Sequence, residues 1–252
     1  MCGRYVILSP PAALRALFGY PEQPNAPPRY NVAPTQPVPV VLVENGGRHF
    51  RLMRWGFLPA WVKDPRTFAL VINARAETVQ EKPAFKAAIR RRRCLLPADG
   101  YYEWQQGASG KQPYFIGRRD GGPFGFAGVA ETWLGPNGEE LDTVAIVTTA
   151  APQPLSRLHH RVPVIIAPGQ YDLWLDCRNE NPREAMQLLA TPRSEEFVWH
   201  RVSLRVNAVA HDDAQLIAPI TEEQAAAEAA ARKAPARKRA SSPADQGQGS
   251  LF

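Results

Sequence analysis

Cysteine is scarce in this chain. Its three copies in 252 residues, Cys2, Cys94 and Cys177, stand far apart. There is no Cys-x-x-Cys pair and no His/Cys ligand spacing, which excludes a disulfide framework and a structural zinc site. Long apolar runs are also missing. None approaches the length needed to span a bilayer, and no basic-then-apolar signal opens the chain. Neither a P-loop nor a Gly-x-Gly-x-x-Gly fingerprint occurs, and no internal repeat is found. These absences predict a cytoplasmic, intracellular protein that works without metal or cofactor, and a monomer is expected.

An apolar content of 44% provides for one sizeable core. The formal net charge of +6 favours a polyanionic partner. Placement of the charge says more than its sum. Arg90–Arg93 is a continuous arginine run, open to reading as a solvated helix end. Single arginines at Arg4, Arg75, Arg157, Arg161, Arg201 and Arg205 fall beside aromatic or polar residues. Arginine suits phosphate because its planar fork donates two parallel hydrogen bonds.

Pro10 to Phe18 followed by Gly19 predicts a short helix with proline in its first turn and glycine after its end. Residues 20–37 are rich in Pro and Asn and read as an ordered loop. Pro37–Val43 and His49–Arg54, joined through Asn45-Gly46-Gly47, predict a tight hairpin. Short strands are expected at 68–72, 94–96, 112–117, 124–130, 143–149, 162–167 and 197–204. Helices are expected at 83–92, 168–176 and 182–190. Strands in hairpin order with helices between them argue for an α+β fold. From Thr221 the chain turns Ala/Glu-rich, then basic, then rich in Ser, Pro, Gly and Gln. That predicts a domain over residues 1–220 and, over 221–252, a frayed helix without apolar anchors running into a disordered tail.

The chemistry starts at Cys2. Small second residues permit removal of Met1, which would leave an α-amine and a thiol on one residue. Such a 1,2-aminothiol condenses with an aldehyde to an imine, and the thiol then closes the ring to a thiazolidine. Its amine, with an ordinary pKa of about 7.7–8, is partly unprotonated near neutrality. Three polar islands accompany it. Asn73 and Arg75 follow an apolar stretch. Glu103 sits between aromatics in Gly100-Tyr101-Tyr102-Glu103-Trp104, where desolvation raises a carboxyl toward acid–base work. His159 stands in Ser156-Arg157-Leu158-His159-His160-Arg161-Val162-Pro163. Taken singly, each has a bland explanation: a turn cap, an ion-pair partner, a structural histidine.

Taken together, in order, these motifs with Tyr30-Asn31-Val32-Ala33-Pro34, Trp55-Gly56-Phe57-Leu58-Pro59-Ala60-Trp61 and Val202–Asn207 closely resemble the SRAP family, from residue 2 to about residue 218. The family's name comes from an SOS-response-associated peptidase label, and its members are known as proteins that crosslink covalently to abasic sites in single-stranded DNA. The resemblance implies a single domain with a mainly antiparallel, barrel-like β core flanked by short helices. It implies that Cys2 is the nucleophile, Asn73 its orienting partner, Glu103 the motif carboxylate and His159 the motif histidine. His160 falls on a variable position, and Val162 stands where the family usually has Met. It further implies that Glu103 helps open the closed sugar and that His159, with a pKa near neutrality, makes a second proton transfer. Lyase chemistry by β-elimination follows if the adduct stops at the imine.

The surface expected to meet DNA comprises Arg4, Arg75 and Arg161 for phosphate, Trp55 and Trp61 for stacking or as a wedge, and Asn31 and Pro34 beside them. Either tryptophan can instead be core. A nucleoid-associated location accompanies this reading. Two other readings stay open: a Cys/His/Glu thiol peptidase or N-terminal-nucleophile amidohydrolase, and a non-catalytic single-strand-binding adaptor. The last residues, Gln248-Gly249-Ser250-Leu251-Phe252, resemble the short Gln-x-[Ser/Asp]-Leu-Phe peptides that dock on the replication sliding clamp, with Gly249 where Leu is commoner.

Overall fold

Strands dominate the computed structural model, which describes residues 2–107, 110–178 and 182–233. The strands among these residues are β1 (Arg4–Ile7), β2 (Arg29–Val32), β3 (Pro37–Glu44), β4 (Gly47–Trp55), β5 (Asn73–Arg75), β6 (Arg93–Ala98), β7 (Gly100–Gly107), β8 (Gly110–Arg118), β9 (Phe124–Leu134), β10 (Glu140–Ala150), β11 (Arg161–Pro163), β12 (Ile165–Ile166) and β13 (Phe197–Arg201). The helices are α1 (Pro11–Phe18), α2 (Ala88–Arg91), α3 (Tyr171–Leu175), α4 (Arg183–Met186) and α5 (Glu222–Lys233).

The predicted hairpin forms as β3 and β4. Asn45 and Gly46 both take positive φ (50° and 81°), the twist a two-residue turn needs between right-twisted strands. Val38 to Leu42 are buried without alternation, as in a strand covered on both faces. The cause is closure: β4 pairs with β3, β3 with β6, β6 with β9, β9 with β10, and β10 back with β4 in parallel. This five-stranded barrel leaves no edge among its members. A second sheet runs β13-β8-β7-β1-β2, antiparallel throughout. Asp99 ties the two together. Its carboxylate accepts from the backbone amides of Leu8 and Ser9 just after β1, at the turn where β6 leads into β7.

Most expected elements stand where the pattern put them, with different lengths. The helix expected over 83–92 shrinks to α2, preceded by turns, and that over 182–190 shrinks to α4. The strand expected at 68–72 does not form as such. Val71 makes one bridge to Phe57, and pairing with β10 starts only at Asn73. The loop expected over 20–37 contains β2, paired with β1. No helix among the described residues is long and apolar enough to cross a membrane.

Helix α5 does have anchors. Ala225 is buried, and the Glu228 carboxylate accepts from the Ser203 hydroxyl and the Leu204 amide, each at 2.7 Å. Residues 234–252, including Gln248, Leu251 and Phe252, lie outside the described residues.

Candidate active site

The two sheets meet where Cys2 enters β1. Arg4 faces Tyr102 and Tyr5 faces Tyr101, so the same register brings Gly3 opposite Glu103. Along β7 the side chains alternate. Tyr101 packs into the main core with Cys2 and Tyr5, whereas Tyr102 and Trp104 belong to a second cluster with Val6, Val202 and Val206. Glu103 therefore turns toward the Cys2 side, where it is only 4% exposed. From the barrel side, β5 pairs in parallel with β10, with Asn73 opposite Ile146. Asn73 Nδ2 donates to the Cys2 carbonyl at 2.9 Å. Beyond β10, β11 opens at Arg161, and His159 precedes it. The structure thus gathers Cys2, Asn73, Glu103 and His159, which come from four separate stretches of sequence.

The electrostatics of the site follow from burial. Cys2 is fully enclosed, so burial pushes its thiol far up, helped by the nearby Glu103 charge. Burial likewise raises the Glu103 carboxyl above its ordinary range, and the positive chain terminus partly opposes this. His159 moves the other way, down to about 4, by burial first and then by the same terminal charge. This corrects the expectation of a near-neutral pKa: a desolvated imidazole beside a cation disfavours its own charge. The Arg161 amide donates to His159 Nδ1 at 3.0 Å. The Arg161 carbonyl also stands 3.3 Å from Nδ1, but the amide is closer and can only donate, which makes Nδ1 the acceptor and assigns the ring proton to Nε2.

Several residues expected on the DNA surface are engaged inside the protein. Trp55 is fully buried, with its indole N–H on the Ile72 carbonyl at 3.0 Å and its ring edge-on to Tyr5. Stacking on a base is closed to it, because it closes the barrel's core instead. Arg161 is buried in a bidentate pair with Glu77 (2.7 and 2.9 Å) and also donates to Thr148. That pair fixes the start of β11, and with it the amide that sets the His159 tautomer. Asn31 is buried and donates to the carbonyls of Val206, Ala208 and His211. Arg4 donates to Asn31 and to the Val206 carbonyl. Together the buried Asn31 and the half-buried Arg4 brace the turn at Leu204–Asn207. Pro34 is half-buried in the turn after β2.

Trp61 and Arg75 do face solvent. Trp61 is 61% exposed, edge-on to Phe68. Both line an open cleft of about 540 Å³ that Asn73, Thr78 and Lys82 share. A second cleft, of about 590 Å³, is lined by Glu103, Trp104, Lys111, His159, Asn207 and Arg232. Lys111 and Arg232 escaped the sequence reading. Lys111 reaches the site because β8 folds back on β7, with Gln106 opposite it, and nothing local marks it. For Arg232 a signal existed: Ala225, Glu228, Ala229 and Arg232 follow helical spacing. No cluster of metal-ligating side chains occurs among the described residues.

Known proteins resemble this chain in sequence and in fold. The family model described as SOS response associated peptidase (SRAP) matches residues 1–209. The chain is 33% identical over 221 residues to the abasic site processing protein YoqW of Bacillus subtilis, covering 86% of this chain and 99% of the relative. It is 33% identical over 229 residues to the abasic site processing protein YedK of Escherichia coli, covering 87% and 100%. A crystal structure of a Bacteroides thetaiotaomicron protein shares the fold with a TM-score of 0.77 at 24% identity, over 87% of this chain and all of that one. With the gathered Cys2, Asn73, Glu103 and His159 set on a closed barrel and an adjoining sheet, the chain belongs to the SRAP family.

Proposed function

We propose that this protein processes abasic sites in single-stranded DNA by forming a covalent bond through Cys2. The observation that carries the reading is the seating of Cys2, held by Asn73 through its carbonyl and coupled in charge to a buried Glu103. The abasic sugar is mostly a closed hemiacetal, and Glu103 moves the proton that opens it to the C1′ aldehyde. Once Met1 is gone, the Cys2 amine adds to that aldehyde and loses one water to give an imine. The thiol then adds across the C=N bond, its proton passing to the nitrogen, and the thiazolidine closes. His159, neutral and carrying its proton on Nε2, donates a hydrogen bond to a sugar or phosphate oxygen rather than taking a proton.

Stopping at the imine leaves β-elimination, hence lyase activity, as the minor course. A thiol-peptidase mechanism needs a stabilised thiolate, and burial drives the Cys2 thiol away from that form. Intact mass of the processed protein after incubation with an abasic single strand tests the proposal. The expected product is protein without Met1 plus oligonucleotide, less one water. An equal yield with an undamaged strand, or no adduct at all, overturns it.

The reading extends to a partner, the replication sliding clamp. Gln248, Leu251 and Phe252 supply a polar contact and two apolar anchors at the end of a polar stretch. Clamp affinity is expected to fall to background when residues 248–252 are removed. Equal affinity with and without them refutes the docking.

A further inference from the structure

Helix α5 begins at Glu222, beyond residue 209 where the family match ends. One stripe of it faces the domain. Ala225 is buried against the body, Glu228 is fixed to Ser203 and Leu204, and one turn further on stands Arg232. Ala225 and Ala229 line a groove between the helix and the β7–β8 hairpin, with Gln105 and Tyr114 across it. Arg232 borders that groove, the one on the helix's other side and the cleft holding Glu103 and His159. The docked stripe thus ends with a guanidinium at the mouth of the active cleft.

Lys111 lines the same cleft from β8. Neither cation forms a hydrogen bond or ion pair with another described residue. The acids of α5 nearest to them are engaged elsewhere, Glu222 with Arg201 at 3.8 Å and Glu228 with the turn at Ser203. The remaining lining, Trp104 and Asn207, is neutral and mutually bonded at 2.9 Å. Lys111 feels the buried Glu103 carboxyl across the cleft, but two cations facing one carboxyl and a neutral imidazole leave room for an anion.

We propose that α5 is an added wall of this cleft, in which Arg232 and Lys111 together hold a backbone phosphate of the single strand next to the abasic position. The proposal rests on the reading of the cleft as a DNA site. The glutamate anchor is what makes the wall effective. Without Glu228 the last turn of α5 loses its tie to Ser203, and Arg232 loses its position.

The test uses the full-length processed protein and two fluorescent single strands of one sequence, undamaged and with one abasic site. Affinity for the undamaged strand is measured over a fourfold range of salt. Arg232→Ala and Lys111→Ala are each expected to reduce the slope of log affinity against log salt by about 0.7, the share of one phosphate contact on a single strand. Glu228→Ala is expected to reproduce the Arg232→Ala loss. Arg178→Ala, which removes an exposed cation paired with Asp176 and lining neither cleft, is expected to leave the slope unchanged. An unchanged slope for Arg232→Ala, or tighter binding that would make the helix an obstruction, overturns the inference. Adduct formation by the unaltered protein on the abasic strand is scored separately. An adduct with no Arg232 effect defeats this inference alone, and no adduct defeats the underlying reading.

Discussion

At the scale of single residues, the proposed function assigns Cys2 the covalent bond, Glu103 a proton transfer and His159 a hydrogen bond. Cys2→Ala is expected to abolish the heat-stable adduct while binding to undamaged single strands is retained. Cys2→Ser is expected to be intermediate, since its amine still forms an imine but its hydroxyl closes the ring poorly. A denaturing gel decides, and a heat-stable adduct from the alanine variant refutes the thiazolidine. Glu103→Gln is expected to slow adduct formation by about 10²- to 10⁴-fold, the usual worth of acid–base assistance, without weakening DNA binding. At His159 the tautomer makes a sharper statement. With Nδ1 occupied by the Arg161 amide, the ring acts as an Nε2–H donor. His159→Gln, whose amide also donates, is therefore expected to keep more of the rate than His159→Ala, and His160→Ala to cost little. If His160→Ala is the more damaging change, the assignment of the motif histidine is wrong.

At the scale of elements, one loop carries two tryptophans with opposite fates. Trp55 ends β4 and is sealed in the core by Tyr5 and the Ile72 carbonyl. Trp61 lies six positions on, past the end of the strand, and faces the cleft with Arg75. Trp55→Ala is expected to cost about 3–5 kcal/mol of stability, as large core truncations do. Trp61→Ala is expected to leave stability within ~0.5 kcal/mol but to weaken single-strand binding by about 1–3 kcal/mol through a lost stacking surface. Denaturant unfolding and fluorescence anisotropy on the same preparations separate the two effects. A stable Trp55→Ala protein with weakened binding would put Trp55 on the surface after all.

At the scale of the whole molecule, packing the site between barrel and sheet gives folding a pH dependence. His159 titrates near 6.5 when unfolded and at about 4 when folded. Between those values the unfolded chain binds a proton that the folded chain excludes. Stability therefore falls as pH drops from 6.5 toward 4 and is fully present above that window. Carboxylates held low, such as Glu22 at about 2 through the Phe50 amide and His49, release their stabilisation only below ordinary carboxylate values. Glu103, raised by burial, contributes with the opposite sign above the ordinary carboxylate range. Thermal unfolding between pH 5 and 6.5 therefore reads the histidine as the difference in slope between the protein and its His159 variant. The slope there is expected to flatten in His159→Gln, and an unchanged slope would show that the ring is not desolvated in the fold.

What the sequence determined by itself was whatever is local or periodic. Asn45-Gly46 dictated the hairpin turn because both residues tolerate positive φ, and Pro-then-Gly punctuation framed α1. The motif order pointed to the family and singled out Cys2, Asn73, Glu103 and His159, which the fold brings together. Tertiary structure alone decided which arginines were free. A guanidinium has the same sequence whether it meets solvent, as Arg75 does, or is spent on Glu77, as Arg161 is. It also decided the fate of Trp55, because only barrel closure through the parallel β4–β10 pairing covers that ring. The pKa of His159 was equally out of reach, since desolvation and a through-space charge depend on neighbours distant in the chain. Lys111 and Arg232 joined the site for the same reason: their neighbours in the cleft come from other elements, and only folding brings those elements together.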